Sequence, residues 1–351
     1  MTDIPLTGIA LVVLLGTLVY FHEFGHFAMA KLVKIKVEEF AFGFGPVLVR
    51  LFKRGDTEYT IHAVPLGGFV KLTGMEPGEE SIPDGFQSKP AWKRYLTILA
   101  GPFMSFVLAY LVFSTLGLTV GLPTTGEAIN RVDLIQPGSR ADRAGLREGD
   151  VIVKINDERI ETGNEMVQII HDSAGRPLVI VVNRDGRTIR IRATPGPGKI
   201  GNKTVGLLGF IPAQKLQRVG LVESFRVGNS ATVSFAKTIV SVLFSREVKN
   251  AVGGPLAIVD ATQTSVRRGA NGFLQIMGML SLSLGVVNLL PIPVLDGGWM
   301  MLLVVEAIRR KRLSPRTWEV AQRVGMAVIG IIFVLIMYLD LTRVATGKLF
   351  R

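Results

Sequence analysis

Four apolar stretches limit what this chain of 351 residues can fold into. They cover residues 6–32, 95–120, 274–308 and 324–341. A helix of about 20 apolar residues crosses the hydrocarbon core of a bilayer, and lipid offers no partner to a free backbone N–H or C=O group. The sequence therefore predicts a polytopic α-helical membrane protein with four transmembrane helices and room for about one small soluble domain.

Basic residues flank these stretches and predict their orientation. They follow the first stretch, precede the second and follow the third: Lys31, Lys34, Lys36, Lys93, Arg94 and the run 309–312. Such flanks mark cytoplasmic ends, so both chain termini are predicted outside. No basic region precedes the first stretch and no small-residue cleavage site follows it, so we expect a retained span rather than a signal peptide. The net charge of +12 then falls largely in the cytoplasmic connections and the soluble module, so the lipid bilayer, not nucleic acid, is the expected partner.

A soluble module is predicted between the second and third stretches. Residues 129–194 contain alternating strands, a short helix at 164–172 and a hairpin that turns at 184–187. The runs PGSRADRAGL at 137–146 and GDVIVKIN at 149–156 are typical of a PDZ domain. That fold binds extended peptides by adding a strand to its edge.

Composition assigns the segments around these elements. The run PGPG at 195–198 predicts a linker, and 76–89 predicts a polar loop. Apolar residues at helical spacing over 219–248 are interrupted by Arg226 and Lys237, which predicts a long amphipathic helix at the outer membrane surface rather than a further span.

Residues 37–72 alternate in short runs joined by glycine and aspartate, which predicts β-hairpins. Two placements are open for this element. It dips into the bilayer, provided that protein or a wet cavity covers its edges, or it forms a small cytosolic sheet.

The first apolar stretch carries the sequence HEFGH at 22–26. Residues i and i+4 share one face of a helix, so His22 and His26 are placed to bind one metal ion, with Glu23 beside it as a general base. In a soluble helix the same residues would more often form an exposed polar face, but the cost of burying three ionisable groups in lipid favours a metal site. The chain has no cysteine and four histidines, so few other ligands are available.

Asp296 is the favoured third ligand. It lies deep in the third stretch among prolines and glycines that must break the helix, at a depth similar to that of His22. Its alternative role is a helix cap at that break. The other acidic residues lie near the predicted interfaces, where solvation explains them: Glu38, Glu39, Asp260, Glu306 and Asp340. His62 is predicted to lie at the surface or to face substrate.

These residues are those of a zinc hydrolase. Zinc held by two imidazoles and a carboxylate lowers the pKa of a bound water to about 7 and polarises a carbonyl. Glu23 would take a proton from that water and pass it to the leaving amine. Asn288 is placed either to hold the oxyanion or the substrate backbone, or to bond another helix. A transmembrane substrate must also unwind, and an exposed edge of the hairpins, with 61–64 as the segment to test, would capture it by strand addition.

With these motifs the chain resembles the site-2 protease family of intramembrane zinc metalloproteases, in its bacterial branch of the regulator-of-sigma-E protease type. The resemblance covers essentially the whole chain, through HEFGH at 22–26, GFGP at 43–46, PLGGF at 65–69, the PDZ runs and NLLPIPVLDGG at 288–298. It implies that His22, His26 and Asp296 ligate Zn²⁺ and that Glu23 is the catalytic base. It also implies that the hairpins form a membrane-re-entrant β-element that aligns substrate.

The resemblance further implies a set of substrate-binding residues: Asn288, Pro291, Pro293, Gly67, Gly68 and Phe69. It implies cleavage of single-span membrane proteins, such as anti-sigma factors after an external cut or remnant signal peptides, in the bacterial cell membrane. The active site would lie within the membrane toward its cytoplasmic side. The PDZ domain would be extracytoplasmic and contact substrate ectodomains or C-termini. The chain departs from the family at Ser105, where relatives often carry asparagine, and in having one PDZ domain where some have two.

These assignments divide the chain into consecutive segments. They are the first transmembrane helix (1–36), the re-entrant β-element and cytoplasmic loop (37–91), the second transmembrane helix (92–121), the PDZ domain (122–198), a linker with the amphipathic helix (199–270), the third transmembrane helix (271–312) and the fourth (313–351). Two other functions are open, a catalytically silent PDZ adaptor and a transporter. The intact Glu23 argues against the adaptor, and the lack of an inverted repeat argues against the transporter.

Overall fold

The computed structural model of the protein describes residues 3–76, 79, 81–136, 138–200, 203–217, 219–245, 248, 252–347 and 349. Pro137 of the predicted PDZ run lies outside the described residues, as do 77, 78 and 80 of the predicted loop and 246 and 247 of the predicted amphipathic helix. The chain forms two compact units. The first holds the described residues up to Leu118 and from Gly220 onward, and the second is Thr119–Val219.

Helices dominate the first unit and strands the second. In chain order the helices are α1 (Asp3–Leu32), α2 (Ala91–Thr119), α3 (Arg140–Arg143), α4 (Gly163–Asp172), α5 (Leu221–Leu243), α6 (Pro255–Arg267), α7 (Gly269–Asn288), α8 (Asp296–Arg309) and α9 (Pro315–Ala345). The strands are β1 (Val37–Arg54), β2 (Thr57–Leu72), β3 (Leu122–Ile135), β4 (Val151–Ile155), β5 (Glu158–Arg159), β6 (Leu178–Arg184), β7 (Arg187–Ala193), β8 (Gly196–Ile200), β9 (Lys203–Leu207) and β10 (Phe210–Gln217).

Four helices of the first unit, α1, α2, α7 and α9, are long and apolar enough to cross a membrane. Their most apolar windows have mean hydropathies of 1.8, 2.1, 1.5 and 2.5, which confirms the four predicted apolar helices. The buried share of the most apolar window is 56% in α2 but only 11% in α9. The helix α2 is therefore the central one, whereas α9 presents its apolar side chains outward, as a helix in contact with lipid would.

The third apolar stretch is broken, as predicted. The helix α7 ends at Asn288 and α8 begins at Asp296. The connection contains Pro291 and Pro293, and proline cannot donate to the hydrogen-bond ladder of a helix. Gly297 allows α8 to pack closely against this connection, since a methyl group there would overlap backbone atoms of the preceding turn.

The helix α6, which precedes α7, was not predicted. Its first turn is held by Asp340 of α9, whose carboxylate accepts hydrogen bonds of 3.0–3.2 Å from the backbone N–H groups of Gly254, Leu256 and Ala257. These N–H groups have no partner within the helix, so a carboxylate stabilises them. Asp340 is fully buried, and its predicted place at a solvated interface was wrong.

The strands β1 and β2 form the predicted hairpin sheet, but each strand pairs with two parts of the other. Residues 39–42 pair on one side with 68–71 and on the other with 58–61, and residues 47–54 pair with 57–62. Among the residues that the structure describes, segments 47–54 and 68–72 therefore each pair with a strand on one side only. The expected free edge at 61–64 is contradicted at Ile61, which pairs on both sides, with Phe42 and Val49; His62 pairs with Val47, and Val64 pairs with Phe44.

The second unit is built on a sheet of order β10-β3-β4-β6-β7, with β5 paired to β4. Its core contains Ile152, Met166, Ile180 and Val182, all buried. The predicted helix at 164–172 is α4, and the predicted hairpin joins β6 to β7. Asp185 and Gly186 at that turn both have positive φ, as a type I′ turn requires.

The predicted linker at Pro195–Gly198 was wrong. Gly196–Ile200 is β8, which pairs with β9, and β10 then returns to pair with β3. The unit therefore continues to Val219, beyond the predicted boundary at residue 198. A run of proline and glycine is typical of a linker. Proline is nevertheless tolerated in a two-stranded sheet, because the outer side of each strand has no partner strand to which a backbone N–H must donate.

An ion pair with a fully buried carboxylate joins β6 to the residue before β4. The carboxylate of Asp150 is fully buried and accepts hydrogen bonds of 2.7 and 2.8 Å from Arg184 and one of 2.8 Å from the Arg147 backbone. The hydrogen bonds to Asp150 raise the pKa of the Arg184 guanidinium above its usual value.

We expect Asp150→Asn to lower the free energy of unfolding of the second unit by about 3 kcal/mol, because it leaves Arg184 without its charge partner. Hydrogen–deuterium exchange of the full chain should become faster in β4 and β6, with no change in α1. Asp172→Asn, on an exposed residue of α4, is the matched control. Unchanged exchange in β4 and β6 of Asp150→Asn would contradict the prediction.

Candidate metal centre

Helices α1 and α8 bring three metal-binding side chains together. The Nε2 atom of His22 lies 3.0 Å from the Asp296 carboxylate and 3.4 Å from Nε2 of His26. Nε2 of His26 lies 3.6 Å from the second oxygen of Asp296. Both histidines are buried, and Asp296, the first residue of α8, is half-buried. Residues 274 positions apart in sequence therefore meet, as the sequence analysis predicted.

The spacing of these atoms fits one zinc ion. Ligand atoms at about 2.0–2.1 Å from a tetrahedral zinc lie about 3.3 Å from one another. The three observed separations, 3.0, 3.4 and 3.6 Å, scatter around that value. Within the described part of the chain, His22, His26 and Asp296 bring their three ligand atoms within 4.8 Å of one another. Two nitrogens and one carboxylate also leave a position open, as a catalytic zinc site requires.

Helix α2 orients both imidazoles. Nδ1 of His26 donates to the backbone carbonyl of Thr97 at 2.9 Å, and Nδ1 of His22 lies 3.0 Å from the Ser105 hydroxyl. Each Nδ1 atom is thus occupied, so Nε2 is directed to the metal position. Ser105 was noted in the sequence only as a departure from the family. Its backbone carbonyl also accepts a hydrogen bond from Ser281 of α7 at 2.7 Å.

Two glycines allow α1 and α2 to approach at this point. A methyl group on Gly25 would overlap the backbone of Ala100, and one on Gly101 would overlap the ring of His26. Small residues are the usual means by which membrane helices come into close contact. The signal was present in the sequence, since Gly25 lies between Glu23 and His26, but spacing alone does not say which helix packs there.

The three side chains open into a cavity of about 290 Å³. Glu23 and Asn288 also line it, and the remaining wall is mostly apolar: Val70, Leu72, Met75, Ile98, Val294, Leu295 and Trp299. Glu23 is half-buried, and the backbone N–H of Val70 in β2 is directed at its carboxylate. The end of β2 therefore forms one wall of the metal centre, which the sequence analysis did not predict.

Asn288 is the predicted substrate-binding residue that lines this cavity. Its amide nitrogen lies 3.3 Å from Nε2 of His22 on α1, so Asn288 faces the metal centre and also contacts another helix, and this distance is compatible with both predicted roles. The connection that follows includes Val294, whose φ of 108° is strained for a β-branched residue and which also lines the cavity.

The other predicted substrate-binding residues do not line the cavity. A methyl group on Gly67 would overlap the Phe44 ring, and one on Gly68 would overlap the backbone of Ala41, so both glycines allow close packing within the sheet. The ring of Phe69 stacks on that of Phe44 at 6.4 Å between centroids. Pro291 and Pro293 lie on the connection between α7 and α8, the former exposed and the latter half-buried.

His62 was predicted to lie at the surface or to face substrate, and Glu306 to lie near a solvated interface; both side chains are buried. His62 is 6% exposed, and its Nδ1 lies 2.7 Å from the Gly45 carbonyl while its Nε2 lies 3.1 Å from Glu39. Glu306 is 5% exposed and pairs with Arg94 at 2.7 Å. The surface placement of His62 and the solvated placement of Glu306 were wrong, because their partners Glu39 and Arg94 lie 23 and 212 residues away in sequence. That His62 faces substrate stays a prediction.

Comparison with known proteins places these observations in a family. Residues 10–332 match Peptidase family M50. The chain belongs to this family. The regulator of sigma-W protease RasP of Bacillus subtilis (strain 168) is 31% identical, with 96% of this chain and 98% of the relative covered. The zinc metalloprotease RasP of Bacillus licheniformis is 30% identical, with 96% and 99% covered.

A solved PDZ domain of an SdrC-like protein from Listeria monocytogenes aligns with 26% of this M50 peptidase and 93% of its own chain, at 17% identity and a TM-score of 0.21. Family M50 contains the site-2 proteases, so the predicted family is confirmed. The M50 peptidase is therefore a zinc-dependent metalloprotease and a multi-pass bacterial membrane protein.

We expect Gly101→Ala to reduce zinc affinity by about 10- to 100-fold, the usual effect of disturbing the support of a metal ligand. The added methyl group must displace the His26 ring from the metal position. The measurement is competition for zinc with a fluorescent chelator in detergent. Gly330→Ala in α9, where a methyl group meets nothing within 4 Å, is the matched control and should retain affinity. Equal affinities of the two variants would contradict the packing argument.

Proposed function

We propose that this M50 peptidase hydrolyses peptide bonds within or near the transmembrane segment of single-span membrane proteins. In this proposal His22, His26 and Asp296 hold the zinc ion, and Glu23 is the general base. One observation supports this proposal most directly. A cavity between apolar helices contains three ligand atoms with the spacing of a zinc site, together with one further carboxylate. The proposed substrate class includes anti-sigma factors after an external cut and remnant signal peptides.

The bound zinc supplies a Lewis acid that polarises the scissile carbonyl and activates a water molecule. The protein supplies the proton transfer and the positioning. Glu23 lines the same cavity as the three ligands, so its carboxylate accepts the proton of the attacking water and delivers it to the leaving amine. Asn288 directs an amide N–H donor into the cavity, where it stabilises the developing oxyanion or fixes the substrate backbone.

The edge of β2 at 68–72 is the proposed site of substrate capture. A helical substrate hides its peptide bonds in its own hydrogen bonds and must unwind before hydrolysis. Segment 68–72 pairs with β1 on one side only, and the backbone N–H of Val70 interacts with the Glu23 carboxylate. An unwound segment that added to this edge would therefore lie against the catalytic base.

The membrane placement is also a proposal. Basic residues at the ends of α1, α2 and α8 support a cytoplasmic location for those ends, with both termini and the second unit outside. Side chains near the turn of the β1–β2 sheet support contact with the bilayer, since Leu48, Leu51 and Phe52 are 64%, 54% and 56% exposed. The active site then lies toward the cytoplasmic side, beside a re-entrant sheet.

The second unit is the proposed PDZ domain. Its order of strands and its buried core support a self-contained module, which is inserted between two helices of the membrane unit. We propose that it contacts substrate ectodomains or C-termini. A catalytically silent adaptor is not favoured, because an adaptor has no use for a half-buried glutamate beside three metal-binding side chains.

We expect Glu23→Gln to bind zinc like the wild type but to lower kcat by at least about 100-fold, because general-base catalysis typically contributes that much or more. The purified protein is reconstituted with a labelled single-span substrate, and cleavage is followed with and without a zinc chelator. Chelation should abolish wild-type cleavage, and added zinc should restore it.

Asp296→Asn separates the ligand assignment from the role of Glu23. It should lower zinc occupancy, whereas Glu23→Gln should not. Wild-type cleavage by a zinc-loaded Glu23→Gln protein would exclude the proposed base. Full zinc occupancy in Asp296→Asn would exclude Asp296 as a ligand.

A proline scan tests the capture edge. Single prolines at 68–72 should reduce cleavage of a helical substrate far more than single prolines at 47–53, although both segments pair on one side only. The reason is that only the first edge lies at the cavity. Cleavage of a short, already extended peptide and zinc content are measured in parallel. Equal losses from both scans would contradict capture at 68–72.

A further inference from the structure

The ion pair between Arg94 and Glu306 lies outside the metal centre, and the proposed mechanism does not use it. Both side chains are almost fully buried, at 3% and 4% exposure, and their atoms approach to 2.7 Å. Arg94 belongs to the first turn of α2, and Glu306 lies near the end of α8. Both charged groups are therefore desolvated, at positions where apolar side chains could pack instead.

Stability does not explain this arrangement. The desolvation of a buried ion pair often cancels its attraction, and well-packed apolar residues frequently do as well or better. Within the described residues, Nε of Arg94 is buried with no hydrogen-bond partner, which adds a further cost. What an ion pair offers instead is a defined geometry, because guanidinium and carboxylate hydrogen bonds are directional.

The pair is the centre of a larger network. Nη1 of Arg94 donates to the side chain of Gln87 at 3.0 Å, and Gln87 donates to the backbone carbonyl of Met75 at 3.3 Å. The second oxygen of Glu306 accepts from the backbone N–H of Leu313 at 3.1 Å. The network thus ties α2, the loop after β2, α8 and the segment after α8 to one another.

Three of these elements, α2, the loop after β2 and α8, also contribute to the metal centre. Thr97, one turn after Arg94 in α2, accepts the hydrogen bond that orients His26. Met75 lines the cavity that contains Glu23. Glu306 lies ten residues after Asp296 in the same helix, a distance of about 15 Å at the α-helical rise. A shift or rotation of α8 at Glu306 therefore moves Asp296 relative to the histidines.

We propose that Arg94, Glu306 and Gln87 are positioning residues that hold α8 in register with α2, and so set the distance from Asp296 to His22 and His26. The proposal rests on the ligand set of the proposed function. None of the three residues touches the metal position. They act through Thr97 and through the length of α8.

The decisive variant is the double substitution Arg94→Met/Glu306→Leu, which replaces the ion pair with apolar side chains of similar length. Such replacements commonly retain stability. We expect the double variant to fold but to bind zinc about 10- to 100-fold more weakly, as when other supports of a metal site are removed. Its cobalt-substituted form should have an altered visible absorption spectrum, and kcat should fall with KM little changed.

Single variants and a control complete the series. Arg94→Lys retains the charge and should recover more zinc affinity than Arg94→Gln. Asp150→Asn breaks a buried ion pair in the other unit, so it should leave zinc affinity and the cobalt spectrum as in the wild type. Thermal unfolding is measured for every variant, so that loss of folding is separated from loss of metal geometry.

Three results decide the proposal. Weaker zinc binding and an altered cobalt spectrum in the folded double variant support it. Wild-type affinity and spectrum in that variant, together with zinc loss in Asp296→Asn, contradict the positioning network alone. Wild-type zinc affinity in Asp296→Asn contradicts both the network and the ligand set of the proposed function.

Discussion

Three ionisable side chains buried among apolar helices depend on one another for their burial. An isolated carboxylate in such surroundings is strongly destabilising, and an isolated imidazole has no hydrogen-bond partner. Here Asp296 lies 3.0 Å from His22 and 3.6 Å from His26. These contacts join α1 to α8. The break between α7 and α8 makes them possible, because it places Asp296 at the start of a helix instead of in the interior of an unbroken one.

The helix α2 turns this contact into a metal centre of defined geometry. It contributes no ligand. It supplies the Thr97 carbonyl and the Ser105 hydroxyl, which occupy the Nδ1 atoms of the two histidines. This support requires close approach of two helix backbones, and Gly25 and Gly101 provide the space. The candidate ligands on two helices are thus oriented by a third helix. Among the four apolar helices, this one has the largest buried share of its most apolar window.

The wall that β2 contributes has a different origin. Residues 68–72 of β2 carry an edge with pairing on one side only, and Val70 and Leu72 face the cavity. The three metal-binding side chains and a strand edge therefore share one space of about 290 Å³. A protease that acts on helices needs both features, because a peptide bond must be released from its helix before a base and a metal can reach it.

The sequence by itself determined the four apolar helices, the pair of histidines with Glu23, the break before Asp296 and the existence of the β1–β2 sheet. All of these depend on local spacing, composition or helix breakers. Only the tertiary structure decided that Ser105 supports His22, that Glu306 and Asp340 are buried, that Ile61 is paired on both sides while 68–72 lines the cavity, and that Gly196 begins a strand. The physical reason is that partners such as Arg94 and Glu306, 212 residues apart, leave no mark in the residues around either one.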